Sequence, residues 1–376
     1  MSIGRKERFV RKESKKGESI SLYPLKEVFI WIYHYIFGPS NKKKEELEII
    51  PKRYELNEVL QEYTLLFIGD IMDLNFNDLI IEESVKDFVK GSDFLIGNFE
   101  GTITTENKEI MDKRHNLQVL GALKNLFSPN KTYLSVANNH GGDFGPRNFL
   151  NSLHQLKEWG FNVFGTKKNP FVDVNDRIRI LGGTQWTNHP CDYLYDLNEP
   201  EKYLRENSFN IIYPHWGYEL ELNPRIKLIK KAKSLLEKFD IVIAQHSHCP
   251  QPISLYQDDG AKKLIAYSLG DFCFGWDIKK LKYEMFRYGI AIKIEIGFSK
   301  SNKMRIGKIN WTFLKSRLLN EGTFIVGTVE NIPNLIRLRY KLPFDHIKNA
   351  ISSLRDPTHQ RNYSWKIITA KNRLKY

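Results

Sequence analysis

The chain has 376 residues, 41% hydrophobic and 13% aromatic, which fits a globular protein with a substantial core in one large domain with appendages or in two domains. Its formal net charge is +13, and residues 301–376 hold most of the excess, with 15 Lys/Arg against 4 Asp/Glu. A basic end of this kind suits a membrane surface, a polyanion or nucleic acid, without choosing between them, and a solvated face is the plain alternative. Cys191, Cys249 and Cys273 are widely spaced and lack any Cys-x-x-Cys, which excludes a disulfide framework and a structural zinc knuckle.

Residues 1–16 are charged and carry no apolar core of signal-peptide type. The run 28–37, VFIWIYHYIF, is ten residues long, too short for a bilayer span of about 20 residues. Flanked by Lys26 and lysines 42–44, it can lie in a membrane interface or pack as a helix on the main domain. Residues 1–62 therefore read as an extension. From residue 63 the pattern alternates short apolar runs with helical stretches. The run 65–68 stops at Gly69-Asp70, a helix is expected over 79–90, and the strand 94–96 ends in Gly97-Asn98-Phe99-Glu100. Residues 101–116 are polar and read as a loop over a site, and a helix is expected near 122–127. The run 134–137 breaks into Asn138, Asn139 and His140, and a helix follows over 147–159. The strand 210–213 ends in Pro214-His215-Trp216-Gly217, ahead of a helix over 224–239. The strand 241–244 ends in Gln245-His246-Ser247-His248, and 264–267 leads to Ser268-Leu269-Gly270-Asp271. A turn is expected at 182–184. Beyond residue 288, GIAIKIEIGF and RIGKINWTFLK alternate with period two, as half-solvated strands do. The whole is an α/β core (63–300), with a basic C-terminal extension (301–376).

Ligands of α/β sheets bind beyond the carboxyl ends of the strands, where polar loops converge on a rigid frame. The residues at those ends are Asp70, Asn98, Glu100, Asn138, Asn139, His140, Asp143, His215, His246, His248 and Asp271. Carboxylate, amide and imidazole groups without thiolate suit zinc, manganese or iron(II). Two ions about 3.5–4 Å apart would clamp a substrate oxygen and acidify water. His246 and His248 share a face if the extended strand geometry persists past Ala244. One of Asn138 and Asn139 is expected to cap the turn while the other reaches a ligand. His140 can coordinate metal or serve as general acid. Trp216 packs in the core or walls the pocket, and His115 and His189 lie in loops able to line a cleft.

At these residues the chain resembles the CapA family, the capsule and poly-γ-glutamate synthesis proteins related to calcineurin-like metallophosphoesterases. The motifs are GDIM (69–72), GNFEG (97–101), ANNHGGDFG (137–145), PHWG (214–217), QHSH (245–248) and YSLGDF (267–272). The resemblance implies a metallophosphoesterase-like four-layer α-β-β-α sandwich, here with a strand-rich C-terminal extension. It implies Asp70, Glu100, Asn139, His215, His246 and His248 as ligands of one or two divalent ions (Mn, Fe or Zn). It makes His140 the catalytic histidine, and we add Asp143 to it, with Asn98, Asn138, Trp216 and Asp271 toward substrate. In the first motif Met72 stands where typical metallophosphoesterases have a histidine ligand, and Gln245 and Asp271 also depart from the usual family residues. The expected function is metal-dependent hydrolysis of a phosphoester or γ-glutamyl amide in capsule-polymer synthesis. The alternatives are a non-catalytic component of a synthase complex and a polyanion-binding protein. The expected partners are an anionic polymer or phosphoester, a capsule-synthesis complex and a membrane surface touched peripherally, and not nucleic acid. The expected location is cytoplasmic, with association to a membrane as the variant of that reading.

Overall fold

The structure is a computed structural model that describes residues 20–42, 47–74, 77–107, 112–258, 260–275, 285–320 and 322–331. The charged start (1–16), most of the lysine run at 42–44 and the basic tail beyond 331 lie outside the described residues. The helices are α1 Leu25–Phe37, α2 Glu83–Val89, α3 Gln118–Leu126, α4 Gly145–Glu158 and α5 Ile226–Leu236. Strands β1 Arg53–Glu55, β2 Leu60–Ile71, β3 Asp78–Ile81, β4 Phe94–Phe99, β5 Thr102–Ile103 and β6 Arg114–His115 precede α3. Then come β7 Thr132–Ser135, β8 Asn162–Phe164, β9 Phe171–Asp173, β10 Ile178–Thr184, β11 Phe209–His215 and β12 Ile241–Ile243. The last strands are β13 Ile253–Asp258, β14 Ala261–Ala266, β15 Asp271–Cys273, β16 Tyr288–Phe298, β17 Met304–Asn320 and β18 Thr323–Val329.

Among the described residues a ten-stranded sheet runs β3-β18-β17-β16-β2-β4-β7-β8, with β1 on β17 and β15 on β2. A six-stranded sheet runs β13-β14-β12-β11-β10-β9. Side-chain alternation along each strand makes the layers. Leu65 and Phe67 of β2 meet Ile211, Tyr213, Ile241, Ile243 and Ile292 in a core between the two sheets. Leu66 and Ile68 point the other way, onto α2, α3 and α4 through Val85, Leu123 and Leu156. Ile212, Val242 and Ile265 of the small sheet likewise turn outward onto Leu228, Ile229, Ala232 and Leu236 of α5. The layers are helix, sheet, sheet, helix, which is a metallophosphoesterase-like α-β-β-α sandwich.

Two elements differ from expectation because strand pairing overrides the local signal. Residues 78–81 are a strand, with burial alternating exposed and buried, because β3 pairs in parallel with β18. Only Glu83–Val89 is helical there. The pair Gly182-Gly183 is no turn, since β10 continues in parallel register with β11 as far as Thr184 opposite His215. The sheet also continues past residue 300, because β17 and β18 pair beside β16 in the large sheet. At the other end α1 is a packed helix. Trp31 and Tyr35 lie against the inter-sheet core, and Arg225 holds Glu27 through contacts of 3.0 and 2.7 Å. Among the described residues no helix is long and apolar enough to cross a membrane.

Phe67 is fully buried between the sheets, whereas Leu60, on the same strand, is 73% exposed. Phe67→Ala is expected to cost about 3–5 kcal/mol in denaturant titration, and Leu60→Ala about 0.5 kcal/mol or less.

Candidate metal centre

Strand register assembles the site. Asp271 of β15 pairs with Asp70 of β2, and Asp70 pairs with Asn98 of β4. In the small sheet Thr184 pairs with His215, and His215 bridges to Gln245. The parallel strands of both sheets thus deliver their carboxyl ends to one place. Glycine permits the close approach of β15, because a Cβ on Gly69 would collide with the carbonyl of Gly270. Gly270 itself adopts φ +68°, a conformation open to glycine.

Asp70 and Glu100 are fully buried. Asp70 Oδ1 accepts a 2.7 Å hydrogen bond from Asn98 Nδ2, and Asp70 Oδ2 accepts one of 3.2 Å from the His246 amide. Glu100 Oε1 has no hydrogen-bond partner among the described residues. Around it stand the Nε2 atoms of His248, His140 and His215 at 3.6, 3.8 and 3.9 Å. His215 Nε2 lies 2.9 Å from Asn139 Oδ1 and 3.0 Å from His246 Nδ1. His248 Nδ1 is 2.9 Å from Asp271 Oδ1. Two further buried atoms, His246 Nε2 and Asp271 Oδ2, are also without a hydrogen-bond partner. Ligand-capable atoms fall into overlapping groups: Asp70, Glu100 and His215; Asp70, His248 and Asp271; Glu219, His246 and His248. Orphaned acceptors facing imidazole nitrogens in a mixed oxygen and nitrogen set fit a divalent transition ion.

His246 and His248 reach the cluster by a route other than strand alternation. β12 stops at Ile243, and the two residues take φ of +100° and +52°. Left-handed backbone at non-glycine positions is strained, and the packing of both sheets holds it in place. The second unit of the site is His140. Its Nδ1 sits 2.7 Å from Asp143 Oδ2, leaving Nε2 to face Glu100. Asn138 caps the turn, accepting from the His140 amide at 3.1 Å and donating to the Phe99 carbonyl at 2.9 Å, while Asn139 reaches His215.

Trp216 does not join the cluster. Its ring is buried in the outer core with Leu228 and Ile229 of α5, because alternation after His215 turns it away. Met72, at the position of the missing histidine, packs into the inter-sheet core. Glu219 and Asn188 are site residues that sequence reasoning missed. Glu219 Oε2 is 3.9 Å from His248 Nε2, and Asn188 Nδ2 is 3.3 Å from His140 Nδ1. The position of Glu219 two residues past His215-Trp216-Gly217 was the available signal. Tyr23, from the N-terminal extension, packs its ring edgewise on His246 at 5.8 Å.

The model of the family described as "Bacterial capsule synthesis protein PGA_cap" matches residues 55–185 and 192–276, more than half of the chain, including Asp70, Glu100, Asn139, His140, His215, His246, His248 and Asp271. The chain belongs to this family. The PGA biosynthesis protein CapA of Bacillus subtilis (strain 168) is 27% identical over 247 residues, covering 56% of this chain and 63% of that protein. The capsule biosynthesis protein CapA of Bacillus anthracis is 26% identical over 288 residues, covering 65% of this chain and 68% of that protein. The match thus spans less than two thirds of the first relative's length. In this PGA_cap chain α1 and β16–β18 stand outside the matched residues.

Burial sets the charge state of the PGA_cap cluster. Desolvation lifts the carboxyl of Asp70 to about 7 and pushes Glu100, Asp143 and Asp271 well above the usual carboxylate range. It depresses His140, His215, His246 and His248 and so favours neutral imidazoles. The signs oppose each other between about pH 4.5 and 6.5, where the unfolded chain has protonated histidines and ionised carboxylates. Above pH 6.5 the histidine contribution is spent, and the folded chain still holds carboxyl protons that the unfolded chain lacks. Stability then falls as pH rises. We expect the melting temperature of chelator-treated protein to drop by about 5 °C between pH 6.5 and 8, and Asp271→Asn to flatten that slope.

Proposed function

We propose that this PGA_cap chain is a metal-dependent hydrolase acting in capsule or poly-γ-glutamate polymer synthesis, on a phosphoester or γ-glutamyl amide of an anionic polymer or its precursor. The observation that carries the reading is Glu100 Oε1, a buried carboxylate oxygen ringed by three imidazole nitrogens and lacking a hydrogen bond. Asp70, Glu100, Asn139, His215, His246 and His248 would hold one or two Mn, Fe or Zn ions, with Asp271 and Glu219 close by. Such an ion supplies Lewis acidity toward a substrate oxygen and lowers the pKa of water. Asn98 fixes Asp70 by donating to it, and the His246 amide fixes the other oxygen of the same carboxylate. Asp143 orients His140 so that Nε2 faces the cluster, where it can take a proton from the attacking water and deliver it to the leaving group.

Met72 in the inter-sheet core favours a second reading, a non-catalytic member of a polymer-synthesis complex that keeps one ion for structure. Leu25, Phe29, Ile32 and Tyr33 stand exposed on α1 beside Lys26, which supports peripheral contact with a membrane surface.

Metal analysis of the full chain after reconstitution with manganese, iron or zinc tests the leading reading. At least one equivalent is expected in the wild type. His215→Ala and His248→Ala should each lower occupancy and abolish hydrolysis of generic phosphodiesters or γ-glutamyl amides. Less than one equivalent in the wild type, or intact activity in both variants, would overturn it.

A further inference from the structure

Behind His140, on the side away from Glu100, three more ligand-type side chains converge. Asp112 comes from the segment leading into β6, Asp143 from the turn after β7, and His189 from the loop after β10. Their ligand atoms all lie within 4.8 Å of one another. His189 Nε2 is 3.5 Å from Asp112 Oδ1 and 3.9 Å from Asp143 Oδ1. A tetrahedral ion with bonds of about 2.1 Å spaces its ligands about 3.4 Å apart, close to these separations.

The independent observation is Asp143. Its side chain is 1% exposed, and its two oxygens have different fates. Oδ2 is committed, 2.7 Å from His140 Nδ1 and accepting a 2.8 Å hydrogen bond from the Lys113 amide. Oδ1 faces His189 and has no hydrogen-bond partner among the described residues. The loops are built to meet there. Gly142 lies so close to His189 that a Cβ would stand 3.1 Å from the His189 carbonyl, and the Asn188 amide donates to the Asn139 carbonyl at 2.9 Å. His189 is 28% exposed, which leaves a path from solvent.

We propose that Asp112, Asp143 and His189 form a second divalent-cation site, separate from the Glu100 cluster and joined to it through the Asp143–His140 contact. One imidazole and two carboxylates suit Mn, Fe or Zn. The cation holds Asp143 as the anion and so fixes the orientation of His140. Lys113, whose positive charge bears on Asp143 and His140, is the competing cation nearby. An imidazolium of His189 paired with the two carboxylates is the rival arrangement.

Equilibrium dialysis of the full chain against Mn2+ or Zn2+ with elemental analysis decides between them. His189→Ala and Asp112→Asn are each expected to bind one equivalent fewer than wild type, and His215→Ala to retain that equivalent. Titration with Co2+ gives a second readout: His189→Ala should lose one component of the visible absorption, and the conservative His189→Gln should weaken Co2+ binding at least tenfold. Wild-type stoichiometry and an unchanged Co2+ spectrum in folded His189→Ala, verified by circular dichroism, would overturn the site and leave the ion pair. Loss of metal in His215→Ala alone would uphold the Glu100 centre while removing this one. The converse pattern would do the reverse.

Discussion

The constraint on which the site depends is the burial of charge. Asp70, Glu100 and Asp271 lie fully inside the protein, within reach of His215 and His248, which are almost as buried. An ionised carboxylate there has a large desolvation cost unless opposite charge or hydrogen bonds offset it. Hydrogen bonds satisfy Asp70, but among the described residues they leave one oxygen of Glu100 and one of Asp271 without a partner. Orphaned atoms of this kind between two sheets are what the proposed cation would satisfy. The strain at His246 and His248 belongs to the same arrangement, since a relaxed backbone would point those rings elsewhere.

The two sheets make this placement possible without long flexible loops. Each supplies parallel strands whose ends carry single polar residues, and the inter-sheet core locks the relative position of the ends. The large sheet contributes carboxylates and amides, namely Asp70, Asn98, Glu100 and Asp271. The small sheet contributes His215, His246 and His248. The centre therefore sits on the seam between two half-sites of different chemistry, and neither sheet alone could assemble it.

The α/β alternation and most of the cluster were legible in the sequence, because buried parallel strands read as short apolar runs and their ends as abrupt polar stops; the two-sheet layering was implied only by the resemblance to the CapA family. Asp70, Glu100, Asn139 and His215 could be placed on that pattern. The means by which His246 and His248 converge could not, since left-handed backbone at histidine leaves no periodic trace. Trp216 shows the limit of motif reading: adjacency to His215 suggested the pocket, whereas alternation places it under α5. Residues 78–81 looked helical because their partner β18 lies more than 240 residues away in sequence. Asp112 and the packing of Tyr23 on His246 depend on tertiary approach alone, and no local pattern announces them.

Several of these contacts join distant parts of the chain. Ile20–Tyr23 pairs with the loop after β10 through Thr187 and Cys191, and Ser40 pairs with the loop after β11 through Leu220 and Leu222. The central strand β2 is flanked by β16, whose residues are made more than 200 positions later. During vectorial synthesis β2 must therefore wait for β16 before that edge is covered. Until then β2 presents an apolar, unpaired edge and α1 an unseated aromatic face. Pairs this far apart raise the contact order of the native fold, and a chain that has not yet formed them exposes apolar surface open to aggregation.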